Sequence, residues 1–174
     1  MSDGTDRARA TVRRFTWPIA AVAGLLLVAF SLVPWGVSDA GVQPSITGLG
    51  RVRVPGAAPE DVAFLEEHTM RPGLWTVVLG ALIAVVALVA WWRPALRWPA
   101  VVIVGLCAIG ALAVAIPSLA DPGAHLFDQR VQEAVRVESP LVDVGYGLLG
   151  VLFVGIALIG LVVAAAITPA DGSS

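Results

Sequence analysis

The chain has 174 residues, of which 57% are hydrophobic and only 14% are charged, and its mean hydropathy is +0.85. A water-soluble domain carries roughly 25% charged residues, so this composition argues against a soluble enzyme and a disordered tail, while the net charge of −2 argues against a nucleic-acid binder. The single cysteine excludes an intramolecular disulfide framework and a cysteine-rich metal cluster. We therefore predict an integral membrane protein of single-domain length.

The choice of basic residues indicates the kind of genome that encodes the chain. All eleven basic residues are arginine, and the chain contains neither lysine nor asparagine. The codons of arginine, alanine, valine and glycine are rich in G and C, whereas those of lysine and asparagine are rich in A and T. The composition therefore indicates a high-GC bacterium.

Four apolar stretches are long enough to cross a bilayer, which requires about 20 apolar residues in a helix. None of them has a charged residue in its middle, and prolines lie at their edges. We predict an all-α integral membrane protein, a four-transmembrane-helix bundle with a small extracytoplasmic cap. The predicted order is an N-terminal tail (1–14), TM1 (15–36), loop 1 (37–73), TM2 (74–92), an inner turn (93–98), TM3 (99–119), loop 2 (120–140), TM4 (141–167) and a C-terminal tail (168–174).

The first stretch has one alternative interpretation, a cleaved signal peptide. A basic segment precedes it, and Ser38-Asp39-Ala40 resembles a cleavage site. We favour an uncleaved span, because the apolar run is longer than the core of a usual signal peptide and is closed by Trp35.

The tryptophans support the predicted span boundaries. An indole ring is amphipathic and is most stable at the interface between the membrane and water. All six tryptophans fall at such predicted interfaces and are predicted interfacial anchors: Trp17, Trp35, Trp75, Trp91, Trp92 and Trp98.

Loop 1 divides into an extended part and a helix. Residues 42–54 contain two glycines between apolar–polar runs, which predicts a short hairpin or an extended segment lying over the bundle. Residues 59–68 predict a short helix, because Pro59 fits a first helical turn and the acidic Glu60 and Asp61 stabilise the N-terminus of a helix.

Loop 2 is predicted to contain an amphipathic helix over residues 121–139. Asp121 suits the N-cap position and Pro122 the first turn, and apolar residues then recur at helical spacing. Such a helix could lie on the outer leaflet, pack against loop 1 or dock a partner subunit. The sequence leaves these three arrangements open.

The distribution of arginine predicts the orientation. Arginines precede TM1 and also occupy the inner turn, at Arg93 and Arg97, and an even number of spans places both segments on one side. The positive-inside rule makes that side the cytoplasm. We therefore predict a multi-pass protein of the bacterial plasma membrane, with both termini cytoplasmic and two acidic loops outside.

The predicted spans contain few side chains that could take part in transport or catalysis. Ionisable residues inside a membrane mark pumps and transporters, because each costs on the order of 3 kcal/mol at the bilayer centre. The span interiors hold only uncharged polar side chains, Asp143 lies at the outer boundary of TM4, and Cys107 is interpreted as a packing residue. Neither a hydrolase motif nor a phosphate-binding glycine loop is present. We therefore predict no catalytic residue, no cofactor and no enzymatic activity.

The two histidines lie in the two outer loops. If these loops folded together, two imidazoles and a carboxylate could form a metal site. No ligand motif is present, however, and a pair of histidines among many acidic residues arises easily by chance, so we predict no metal site. The residues that such a site would use are His68, His125, Asp121 and Asp128.

Small residues spaced four apart permit helices to approach closely within a membrane. The predicted helix-packing pairs are Ala20 with Gly24, Gly80 with Ala84, and Gly160 with Ala164. These pairs could pack within the bundle or against a helix of another protein, and the spacing alone does not distinguish the two.

The layout resembles two groups of membrane proteins. Inner termini, a long first outer loop, a short inner turn and a smaller second outer loop resemble the claudin-type tetraspan layout, but Gly73-Leu74-Trp75 lies at the start of TM2 and the loops have no cysteine pair. Size, span count and Trp35 closing TM1 resemble small four-span membrane proteins of unassigned function from high-GC Gram-positive bacteria, some of them tryptophan-operon-associated. The resemblance is one of layout and implies no site residue.

These observations favour a non-catalytic accessory or scaffold subunit of a larger bacterial plasma-membrane complex for envelope biogenesis, transport or respiration. The bundle lacks buried polar chemistry but has many surfaces for close contact. The predicted partners are the lipid bilayer and other membrane-protein subunits. Two alternatives stay open, a membrane protein that binds a lipid or a small apolar ligand and an extracytoplasmic metal or stress sensor.

Overall fold

A computed structural model describes residues 3–38, 43–120, 125 and 143–167, with the backbone alone described for 3–14. The predicted loop 2 helix lies outside the described residues except for His125, which is helical and exposed. The described chain is mostly helical. Its elements are α1 (Asp3–Leu32), β1 (Pro34–Val37), β2 (Ser45–Thr47), β3 (Val52–Arg53), α2 (Pro59–Glu67), α3 (Gly73–Trp92), a 3₁₀ turn (Pro94–Leu96), α4 (Arg97–Ala120), β4 (Asp143–Val144) and α5 (Tyr146–Ile167).

Four of these helices are long and apolar enough to cross a membrane, which confirms that part of the prediction. Helix α1 packs against α3 and α5, and α4 packs against the same two helices. Helices α1 and α3 run antiparallel, since Gly24 lies against Ala84 whereas Ser31, further along α1, lies against the earlier Thr76. Helices α4 and α5 are also antiparallel, since Gly105 lies against Val162 and Leu112 against Gly155. The result is an up-and-down four-helix bundle.

The ends of two helices differ from the predicted spans, and strands account for both differences. Helix α1 ends at Leu32 rather than at residue 36, because Pro34 lacks the N–H that a helix requires and disfavours the helical conformation of the residue before it. The chain continues as strand β1. Helix α5 begins at Tyr146 rather than at 141, because Asp143 and Val144 pair with β1 instead.

A small sheet lies at one end of the mostly helical bundle and is larger than the predicted short hairpin. Its strand order is β3-β2-β1-β4, and all three pairings are antiparallel. Strands β2 and β3 form the hairpin predicted within residues 42–54, with Ile46 opposite Val52. The pairings of β1 and β4 were not predicted. Gly36 of β1 stands opposite Val144, on a strand far along the chain.

Helix α2 lies beside the sheet, as the predicted helix in loop 1. Pro59 occupies its first turn, and Glu60 and Asp61 follow it there. The helix is held to the hairpin by the Glu66 carboxylate, whose Oε1 accepts a hydrogen bond from the backbone N–H of Val52 at 3.1 Å. None of its residues is buried, so α2 covers the sheet edge without entering the core.

Candidate functional site

Two of the five buried polar side chains that the structure describes, Ser31 and Thr76, lie where the sheet meets the bundle. They belong to a cluster that we call the Trp35 junction (Ser31, Trp35, Gly48, Gly73 and Thr76). Trp35 is the largest fully buried side chain and is 0% exposed. Its position follows from the break at Pro34, which turns the chain back across the helix end. The indole Nε1 donates a hydrogen bond to the Phe30 carbonyl at 3.1 Å, so the ring fills the core without leaving its N–H unpaired.

Two glycines allow the rest of the chain to approach the Trp35 ring. A Cβ on Gly48 would lie 2.7 Å from the ring carbon Cε2 of Trp35, a separation that real Cβ atoms essentially never show. Gly73, the first residue of α3, lies directly against Gly48, and its N–H donates to the Gly48 carbonyl at 2.8 Å. The hairpin turn is therefore clamped between the Trp35 ring and the start of α3.

The same tryptophan residue links the sheet to α5. The backbone N–H of Gly145 donates to the Trp35 carbonyl at 2.8 Å. Gly147 and Gly150 bring the first turns of α5 against the end of α1, where a Cβ on Gly147 would lie 2.8 Å from the Phe30 carbonyl oxygen. The hairpin turn therefore contacts the ring of Trp35, the start of α5 contacts its backbone, and the start of α3 joins them through Gly48.

Beneath the ring, a pair of buried hydroxyls joins α1 to α3. Ser31 Oγ and Thr76 Oγ1 are 2.5 Å apart, and each is also placed to donate to its own helix, Ser31 to the Leu27 carbonyl and Thr76 to the Gly73 carbonyl. Each hydroxyl has a single hydrogen. Since two hydrogens serve three contacts, one of the three contacts lacks a hydrogen at any moment, and when one hydroxyl donates to the other, its own helix carbonyl is the acceptor left without it.

This hydroxyl pair gives a prediction for stability. Ser31→Ala and Thr76→Val should each lower the free energy of unfolding by about 1 kcal/mol, and the double variant should show a coupling energy of about 0.6 kcal/mol, as for other hydrogen bonds between membrane helices. The measurement is a double-mutant cycle in detergent. Ser118→Ala is the control partner, because Ser118 is 1% exposed and donates to the Val114 carbonyl of its own helix. Strictly additive effects of Ser31→Ala and Thr76→Val would contradict a direct bond.

The predicted small-residue pairs have two different environments. Ala20, Gly24, Gly80 and Ala84 are buried, and the last three meet where α1 crosses α3. A Cβ on Gly24 would lie 2.6 Å from the carbonyl oxygen of Gly80. Gly160 and Ala164, in contrast, are on the exposed side of α5, and a Cβ on Gly160 would meet nothing within 4 Å.

The predicted tryptophan anchors also divide into two groups. Trp17 and Trp35 are buried inside the bundle, which differs from the expectation that their rings face an interface, because the helix break at Pro34 and the packing of α1 turn both inward. The other four are exposed: Trp75, Trp91, Trp92 and Trp98. An interfacial role for these four stays a prediction.

The candidate metal ligands are not brought together within the described part of the chain, where no group of three His, Cys, Asp or Glu could hold an ion. His68 follows the end of α2. Its Nδ1 lies 2.9 Å from the Phe64 carbonyl oxygen, and its ring is tilted by 37° against the Phe64 ring, with 4.4 Å between the ring centroids. Asp121 and Asp128 lie outside the described residues. Asp143 is an exposed residue of β4, and Cys107 is a buried residue of α4.

The chain matches no protein-family model, no curated protein and no solved structure. The described interior is built from close helix crossings and bonded hydroxyls, and this arrangement can fix a shape and hold surfaces in register.

Proposed function

We propose that this protein spans the bacterial plasma membrane four times, with both termini in the cytoplasm and the sheet and α2 outside. The four helices have mean hydropathies of 2.0 to 2.9 over their candidate spans, and large apolar side chains are exposed along all of them. The arginines of the α3–α4 turn supply the cytoplasmic positive charge. The sheet and α2 then form the extracytoplasmic cap.

Within that membrane, its function is that of a non-catalytic accessory or scaffold subunit of a larger complex for envelope biogenesis, transport or respiration. The observation that carries this proposal is the large exposed surface on the outer side of α5. Only 22% of the α5 span is buried within the chain, against 39% for each of the other three spans. Around Gly160 this side is thin enough for the backbone of another helix to approach, so α5 is the element best suited to contact a different membrane protein.

The interior of the bundle supports a structural role. Its buried residues are mainly alanine, valine, leucine and glycine, and the buried hydroxyls of Ser31, Thr76 and Ser118 are bonded to helix carbonyls or to one another. Such groups hold helices together and leave the outer surfaces to provide recognition.

The test is purification at native expression level in a mild detergent. We expect a second membrane protein to co-purify at a fixed ratio, and Gly160→Val to weaken that association about tenfold, equivalent to ~1.4 kcal/mol. Ala113→Val is the matched control, because it places the same valine side chain at a small exposed residue, on α4 instead of α5. A chain that elutes alone, or with only a second copy of itself, would contradict the proposal.

A further inference from the structure

We infer that the segment Trp91–Trp98, which we call the Trp–Arg turn, binds the headgroup phosphate of an anionic phospholipid. The inference rests on the proposed membrane location and adds a specific partner to it. The segment reads WWRPALRW and joins α3 to α4 through the 3₁₀ turn.

The aromatic residues of the Trp–Arg turn point away from the bundle. Trp92 is 80% exposed and Trp98 is 68% exposed, and Leu96 between them is also exposed. Large apolar rings at both ends of a short turn are poorly placed in water but are stable at the level of lipid headgroups. The rings therefore indicate that this turn lies at the level of the lipid headgroups.

Among the residues whose side chains the structure describes, no carboxylate lies at the end of the bundle that holds the arginines of this turn. Arg93 is exposed, and Arg97 is half-buried with an Nε that has no hydrogen-bond partner among the described residues. The carboxylates whose side chains the structure describes lie on α2 and β4, at the sheet end of the bundle. Helix α3 separates the two ends by 20 residues, which is about 30 Å at 1.5 Å per residue.

An anionic phospholipid provides a negatively charged phosphate with which the two arginines of this turn can pair. Guanidinium groups form paired, charge-assisted hydrogen bonds with phosphate oxygens, and negatively charged lipids concentrate at the cytoplasmic surface, which the orientation assigns to this turn. Acyl chains below the phosphate would run along the exposed apolar surfaces of α3 and α4, beside Leu88 and Val102. Charge and apolar surface together therefore favour a lipid over a free phosphate.

The experiment is native mass spectrometry of the purified full chain in detergent, with equal amounts of dioleoyl phosphatidylglycerol and dioleoyl phosphatidylcholine. We expect the chain to retain phosphatidylglycerol preferentially. Arg93→Gln together with Arg97→Gln should reduce that preference by about fivefold per arginine, and thus about 25-fold for the pair. Arg51→Gln together with Arg53→Gln is the matched control, since it removes the same charge at the sheet end.

The possible results distinguish a failure of the proposed lipid site from a failure of the proposed membrane location. If alkaline carbonate releases the wild-type chain from membranes, the proposed location fails. If the chain is retained but binds both lipids equally, or if the two double variants lose the preference to the same extent, the lipid site alone is overturned. Protection of the buried Cys107 thiol from a maleimide dye verifies that each variant is folded.

Discussion

Trp35→Ala is expected to lower the free energy of unfolding by about 3–5 kcal/mol, the range found when a buried tryptophan or phenylalanine is truncated. The indole is 0% exposed, so its removal leaves a cavity between the hairpin turn and the end of α1. The Phe30 carbonyl also loses the N–H that it accepts at 3.1 Å. The surroundings cannot collapse easily, because Gly48 and Gly73 meet there by direct backbone contact.

The stability of Trp35→Ala can be measured by labelling the single cysteine of the chain. Cys107 is 5% exposed, so a maleimide dye reacts with it only when the bundle opens, and labelling against increasing dodecyl sulfate in mixed micelles reports unfolding. Trp92→Ala is the control, since this ring is 80% exposed and its removal should change stability by no more than about 0.5 kcal/mol.

Trp35→Phe separates the volume of the ring from its hydrogen bond. Phenylalanine keeps most of the apolar contact but has no N–H to donate to Phe30, so it should cost less than alanine and more than Trp92→Ala. Equal stabilities for Trp35→Ala and Trp92→Ala would show that the Trp35 junction does not hold the sheet to the bundle.

Local sequence patterns sufficed for the helices and the hairpin. The four long apolar helices could be predicted because length and uninterrupted hydropathy decide them, and α2 because Pro59, Glu60 and Asp61 are local signals of a helix start. The hairpin of β2 and β3 is also local, since its partners Ile46 and Val52 are six positions apart. Each of these elements is determined by residues that are neighbours in the chain.

The junction could not be predicted in the same way, because its contacts join distant parts of the chain. Strand β4 has two residues, Asp143 and Val144, which is too short for any alternation, and it becomes a strand only by pairing with β1. Trp35 closes an apolar run, as an interfacial tryptophan does, yet the adjacent Pro34 turns it into the core. The signal that could have been used is that proline, which forbids continuation of the helix.

Small-residue spacing has a related weakness, because it identifies a surface but not what covers the surface. Gly80-xxx-Ala84 and Gly160-xxx-Ala164 have the same pattern. The first is buried against Gly24 of α1, and the second faces outward on α5. Which face of a helix meets a neighbour depends on the packing of the whole bundle, so identical motifs have different consequences.

Gly24→Val is therefore expected to destabilise the isolated chain by about 2–3 kcal/mol, whereas Gly160→Val should leave it nearly unchanged. At Gly24 the new Cβ would lie 2.6 Å from the Gly80 carbonyl oxygen and 2.7 Å from the Ala84 nitrogen. Both are backbone atoms, which cannot rotate away, so α1 and α3 must move apart, and overpacking of this kind typically costs about 1–3 kcal/mol. At Gly160 the added atom meets nothing within 4 Å.

The two valine variants control for each other, since both place the same β-branched side chain in a long apolar helix and share any cost in helix propensity. The measurement is again Cys107 labelling in mixed micelles, on chains purified without partners. Similar stabilities for the two variants would mean that the α1–α3 crossing relaxes readily and does not fix the bundle. A stable Gly160→Val chain that no longer co-purifies with its partner would instead show that one glycine crossing builds the bundle while the outward-facing glycine serves association.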